Sequence, residues 1–157
     1  MPLPTPDFID CDERRLVALS RDFTMQTRSK IPQLWHQLWE QQWSFAGNVE
    51  PAQYGASYSV RPDGSFSYAV GMQVDPMPGD LPEGACTVTL SAGRYAVFRK
   101  QGPVQELPQT FDAIFSTWLP TSGETQREGA VFERYPHHEG NTPESMAYEI
   151  WVPINAA

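Results

Sequence analysis

The nine residues Met146-Ala147-Tyr148-Glu149-Ile150-Trp151-Val152-Pro153-Ile154 read as a strand close to the C-terminus. Tyr148, Ile150, Val152 and Ile154 alternate as one apolar face, which leaves Glu149 and Trp151 together on the other. Pro153 lacks an N–H to give to a ladder and marks where pairing on one side can stop. The same pattern occurs earlier, in Phe66-Ser67-Tyr68-Ala69-Val70-Gly71-Met72-Gln73-Val74, at a fixed offset of 80 residues.

Working outward from that match exposes a duplication. Ile31-Pro32-Gln33-Leu34-Trp35-His36-Gln37-Leu38-Trp39 falls on Leu107-Pro108-Gln109-Thr110-Phe111-Asp112-Ala113-Ile114-Phe115 at an offset of 76, sharing Pro-Gln and four apolar positions. The strands ahead of these helices, Val17-Ala18-Leu19 and Tyr95-Ala96-Val97, correspond at 78. Short loop insertions produce such drifts. The chain therefore reads as an α+β fold built from two β-α-β-β modules with pseudo-twofold symmetry, antiparallel sheets, one helix per module and a central ligand groove. A length of 157 residues suits one domain, with a first repeat over about 8–75, a linker over about 75–84 and a second repeat over about 85–155.

Local signals support the division. Residues 8–10 and 15–23 read as extended, Ser29 offers a helix N-cap with Pro32 in the first turn, and Ile31, Leu34, Trp35, Leu38, Trp39 and Trp43 recur at helical spacing until Gly47. Arg61-Pro62-Asp63-Gly64 is a hairpin turn between strands over 54–60 and 66–74. Strands follow over 86–90 and 94–100. A second amphipathic helix carries Leu107, Phe111, Ile114, Phe115 and Trp118 and stops at residues 120–123, before extended residues 130–135. The polar run 136–144 contains His137 and His138, read as solvated.

Nineteen acidic against eleven basic residues give a formal charge of -8, which repels phosphate backbones and anionic lipid and favours cationic partners. Nucleic acid and membrane surfaces are excluded on this ground. Neither the three histidines nor Cys11 and Cys86 show metal-ligand spacing, so no metal and no cofactor are expected. The N-terminus has no basic region followed by an apolar run, and no apolar stretch approaches the ~20 residues of a membrane span. A cytoplasmic protein with two free thiols, monomeric or weakly dimeric, is the expectation.

The repeat is asymmetric at one place. Glu149 and Trp151 have Ala69 and Gly71 as counterparts, which gives space on one side of a cleft and a charged group with an aromatic wall on the other. Glu149 is the expected anchor, with Trp151, Tyr95, Phe98, Tyr68, Trp39 and Phe115 as candidate walls around Ala69 and Gly71. Trp39 and Phe115 sit at helical spacing that also fits a core role, and parity puts Tyr68 on the Tyr148 side of its sheet. No Ser/His/Asp order, nucleophile elbow or phosphate loop is present, so no catalytic residue is assigned.

The duplicated unit, the turn and strand Gly93-Arg94-Tyr95-Ala96-Val97-Phe98, the segment Phe132-Glu133-Arg134-Tyr135 and the closing Tyr148 to Ile154 together resemble the GyrI-like, or AraC-type effector-binding, superfamily. The resemblance spans nearly the whole chain and implies a groove for small, often cationic and aromatic molecules. It further implies a glutamate on the last strand as the charged reader, the position Glu149 occupies; members are often fused to helix-turn-helix domains, and a stand-alone member without one is the expectation for this chain. Two other functions stay open: hydrolysis of electrophilic small molecules, with Glu149 as the base, and an acidic surface that docks a regulatory protein.

Overall fold

The computed structural model describes residues 3–156 apart from 46, 50–51, 104–105, 137–141 and 143–144; His137 and His138 lie outside the described residues. Its strands are β1 (Asp7–Cys11), β2 (Arg14–Phe23), β3 (Ala52–Tyr58), β4 (Phe66–Gln73), β5 (Cys86–Leu90), β6 (Gly93–Gly102), β7 (Val131–Pro136) and β8 (Met146–Pro153). All eight join one antiparallel sheet in the order β1-β6-β8-β7-β3-β4-β2-β5, curled into a half-barrel. Helix α1 (Ile31–Gln41) belongs to the first module. In the second, α2 (Leu107–Asp112) runs into a π-helical turn (Ala113–Trp118) and then α3 (Leu119–Ser122).

The duplication is legible in the ladders. Each module contributes three neighbouring strands, β2-β4-β3 and β6-β8-β7, and the modules meet where β3 pairs with β7. The edge strands are exchanged: β5, which precedes β6, pairs with β2, whereas β1, which precedes β2, pairs with β6. Cys11 and Cys86 are free thiols on these two outermost strands. One register differs from the sequence expectation. Leu16 pairs with Gln73 and Tyr95 with Pro153, so with the closing strands at an offset of 80, Leu16 corresponds to Tyr95 at 79 rather than 78. A one-residue slip inverts facing, and the offset of 79 puts Tyr95 on the same side of the sheet as Val97 and Trp151.

Three apolar clusters hold the fold. The face without helices is filled by the sheet itself, with Tyr54, Tyr95, Phe132 and Trp151 buried among Leu16, Ala18, Val97 and Leu90. Phe132 and Trp151 stack at 5.3 Å, and Tyr95 meets both rings edge-on at 5.4 and 5.7 Å. On the helical face, Leu34 and Leu38 of α1 pack on Phe23, Tyr68 and Val70, while Ile114 packs on Ala96, Phe98, Tyr148, Ile150 and Val152. Burying side chains of this size contributes roughly 1.5–3 kcal/mol each.

Local details also depart from the sequence reading. Lys30, not Ser29, is the N-cap residue of α1, without a side-chain cap, because a 3-10 turn over Arg28–Lys30 leads directly into the helix. Gln42, left-handed at φ 52°, ends it before Gly47 is reached. The Arg61–Gly64 turn forms as expected: Gly64 takes φ 87°, and Asp63 accepts from the Ser65 N–H at 2.9 Å and hydroxyl at 2.6 Å. The second helix passes Pro120, tolerated in the opening turn of α3, and ends at Gly123 with φ 79°.

Candidate functional site

Where the two modules meet, α1 and α2 leave the middle of the helical face uncovered, and a cavity of about 860 Å³ opens there. Its walls are aromatic and apolar: Trp35 and Trp39 from α1, Leu107 and Phe111 from α2, Phe66 from β4 and Met146 from β8. Polar and charged groups stand at the exposed rim, Arg28 and His36 on one side and Asp112 on the other. A volume of this size and an apolar lining suit a drug-sized organic molecule.

Among the described residues, the floor carries one carboxylate. Glu133 of β7 is 2% exposed and lines the cavity with Tyr68 and Tyr135. The Tyr68 hydroxyl donates to Glu133 Oε1 at 2.7 Å and the Tyr135 hydroxyl donates to the same oxygen at 3.2 Å. Among the described residues, Oε2 is buried without a hydrogen-bond partner. Burial pushes the Glu133 carboxyl up to about 7, against the lowering effect of the two tyrosine hydrogen bonds. Burial, reinforced by the adjacent carboxylate, also holds both tyrosines well above the usual phenol range, so they remain donors.

The space for this arrangement comes from Gly55. It pairs with Glu133 across the β3–β7 junction, and a Cβ added there would overlap the Tyr68 hydroxyl and stand 3.1 Å from Glu133 Oε1. The strands of the two modules correspond at 78 across this junction, which makes Gly55 and Glu133 each other's pseudo-symmetric counterpart. This asymmetry lies at a different pair from the expected Glu149/Trp151 and Ala69/Gly71: a glycine in one half makes room for the carboxylate of the other. Trp35 closes the wall behind it, edge-on to Tyr135 at 5.3 Å.

Of the sequence-derived candidates, the structure brings Tyr68 and Trp39 into the cavity. Trp39 is half exposed at the mouth, and its indole donates to Gln53 Oε1 at 3.1 Å. The others lie elsewhere. Tyr95 and Trp151 fill the core of the helix-free face with Ala69, Gly71 is packed against Val17 and Ala18, Phe98 is beneath Trp118, and Phe115 stacks on Phe111 behind the α2 wall. The expected cleft on the Glu149 face is occupied by these rings, because the curled sheet packs that face against itself.

Glu149 has a different setting. Its Oε1 accepts from Arg134 at 3.2 Å and from the Trp151 indole at 3.0 Å, and its Oε2 accepts from Arg99 at 3.2 Å. Arg99 and Arg134 are its ladder neighbours on β6 and β7, so the charge is paired along one row of the helix-free face. It is not among the cavity-lining residues. The sequence reading named Glu133 only within the Phe132–Tyr135 segment. No offset read from the sequence isolates it: the strands ahead of the helices correspond at 79 and the closing strands at 80, and the correspondence of Gly55 with Glu133 at 78 comes from the β3–β7 pairing.

Residues 4–155 match the GyrI-like small molecule binding domain, and the chain belongs to that family. It is 28% identical over 125 residues to the transcriptional regulator BrlR of Pseudomonas aeruginosa, covering 79% of this chain and 46% of that protein. It is 33% identical over 85 residues to the probable transcriptional regulator YgiV of Escherichia coli K12, covering 54% and 52%. The chain spans about half the length of these curated relatives. The solved structure of SAV2435 bound to tetraphenylphosphonium has the same fold, with a TM-score of 0.76 at 19% identity over 96% of this chain and 93% of that one. Among the described residues, no helix is long and apolar enough to cross a membrane, and no group of three or more His, Cys, Asp or Glu could hold a metal ion.

Proposed function

We propose that this domain binds hydrophobic aromatic cations in the cavity between α1 and α2, with Glu133 rather than Glu149 as the charge that selects them. The observation that carries this reading is a buried carboxylate with one unpartnered oxygen on the floor of an apolar aromatic cavity. An ionised carboxylate there is costly alone and is relieved by a ligand cation. Contact of the cation with Trp35, Trp39 or Tyr135 adds ~0.5–2 kcal/mol, and apolar burial at roughly 25 cal/mol per Å² supplies most of the affinity. Micromolar binding, about -8 kcal/mol, is the expected range. That SAV2435 is seen with tetraphenylphosphonium makes this cation the natural first probe.

The test is a fluorescence titration with tetraphenylphosphonium, which the cavity tryptophans Trp35 and Trp39 report directly. Saturable quenching that weakens at least tenfold in Glu133→Gln supports the reading, and the absence of binding at any pH rejects it. A hydrolytic reading is favoured by the same carboxyl, whose elevated pKa of about 7 beside two tyrosine hydroxyls suits a general base. Mass spectrometry of electrophilic aromatic compounds incubated with the protein separates the two: intact compounds leave binding alone.

A further inference from the structure

Resting on that reading of the cavity, we infer that the site takes a second class of ligand, neutral aromatic molecules carrying a strong hydrogen-bond acceptor, which Glu133 reads in its protonated form through Oε2–H. Both tyrosine hydroxyls donate to Oε1, at 2.7 and 3.2 Å, and neither reaches Oε2. A carboxyl whose first oxygen already accepts two hydrogen bonds carries its proton on the second. Oε2 thus has two chemical states in one position. Ionised, it is a bare anion that a cation satisfies; protonated, it is a donor in an apolar cavity that a phosphoryl, N-oxide or carbonyl oxygen satisfies.

The surroundings do not force either state. Facing Glu133 are Tyr68 from β4, Tyr135 from β7 itself, Trp35 from α1 and the bare backbone of Gly55 from β3, none of them charged. Met146 from β8 and Phe111 from α2 complete the wall, and the charged or titratable groups Arg28, His36 and Asp112 stand at the rim. Among the described residues no fixed positive charge stands at the floor to hold the carboxylate ionised, and burial sets its titration near neutrality, at about 7. The site therefore samples both states across the ordinary range of pH. Ligand choice follows the proton: cation binding displaces it and acceptor binding retains it.

The experiment compares tetraphenylphosphonium with triphenylphosphine oxide, a neutral acceptor of similar aromatic bulk, on the intact chain between about pH 6 and about pH 8. Neither probe titrates in this window. Affinity for the phosphonium should rise about tenfold across it, while affinity for the oxide falls about tenfold, following the ionised and protonated fractions of Glu133. Calorimetry in two buffers of different ionisation enthalpy should show proton release with the phosphonium at about pH 6 and proton uptake with the oxide at about pH 8, because the slope of affinity with pH equals the protons exchanged on binding. Glu133→Gln, whose amide donates from the same position, should bind the oxide independently of pH, and His36→Gln should keep both trends. Phosphonium binding that depends on Glu133, with an oxide affinity that is absent or does not fall with pH, overturns this inference while leaving the cation reading intact. Flattened trends in His36→Gln also overturn it. No phosphonium binding at any pH rejects the cation reading itself.

Discussion

Glu133 and Glu149 stand on adjacent strands of one sheet, yet they occupy opposite electrostatic worlds. Glu149 faces the helix-free side, where Arg99 and Arg134 flank it in the ladder and the Trp151 indole completes its shell. Glu133 faces the helical side, its side-chain donors are two neutral hydroxyls, and one of its oxygens has no partner among the described residues. The ladder makes the contrast plain: Glu149 pairs with Arg134, and the neighbouring pair is Ile150 with Glu133. One step in strand parity separates a carboxylate already satisfied by protein cations from one left for something else. The lesson is that an anchor is recognised less by being an acid than by lacking a base.

The hardest way to break the comparison is to remove the space beneath Glu133. Gly55→Val would drive a side chain into the Tyr68 hydroxyl and separate it from Glu133. A loss of about 2–4 kcal/mol in denaturant unfolding is expected, because the intruding groups meet a sheet and a buried ring rather than flexible surface. Phosphonium binding should disappear with it. The smaller Gly71→Ala meets the backbone of Val17 and Ala18 on the other side, so it should lower stability without the Tyr68–Glu133 hydrogen bond being its cause.

A gain of stability sharpens the comparison further. Below about pH 4.5, the ordinary carboxyl value, Glu133 is protonated in both folded and unfolded chains and contributes no penalty. As pH rises towards 7 the unfolded chain loses the proton while the folded chain keeps it, so wild-type stability falls; above about 7 the penalty is constant. Glu133→Gln removes this term and should be more stable than wild type by up to about 3 kcal/mol at pH 8, with the gap closing towards pH 4.5. Thermal melts at the two ends of that range measure it. Unchanged pH dependence in the variant would show that Glu133 does not titrate as a buried acid.

Glu149→Gln should move in the other direction and by less. It weakens two ion pairs whose arginine side chains are 47% and 22% exposed, which solvent screening limits to about 1 kcal/mol of lost stability. Smallest of all is Trp39→Ala, which removes a half-exposed ring at the mouth of the cavity. A two- to fivefold loss of phosphonium affinity is expected from about 0.5–1 kcal/mol of cation–π and stacking contact, read by calorimetry because a fluorophore is lost.

Much of the architecture was legible because it is written in periodicity. The offset of 80 between residues 66–74 and 146–154 holds in the ladders, as do both helices and the Arg61–Gly64 turn. The site was harder to read for two physical reasons. Alternation shows which residues share a face but not whether the face away from the helices stays open, and a curled sheet fills that face with its own aromatics, here Tyr95, Phe132 and Trp151. Second, β3 is too mixed in Ala, Gly, Ser and Tyr to reveal its register by hydrophobicity, so the Gly55–Glu133 correspondence emerges only from the pairing of β3 with β7. Trp39, whose helical spacing also fitted a core role, and Tyr68, which parity put on the Tyr148 side, do line the cavity.

The account turns on which glutamate reads the ligand, and parallel titrations of wild type, Glu133→Gln and Glu149→Gln with tetraphenylphosphonium at about pH 8 decide it. The expected result is a loss of at least tenfold, about 1.4 kcal/mol, in Glu133→Gln and a Kd within twofold of wild type in Glu149→Gln. The reverse pattern, with Glu149→Gln weakened and Glu133→Gln unchanged, would contradict the assignment and move the ligand to the opposite face of the sheet.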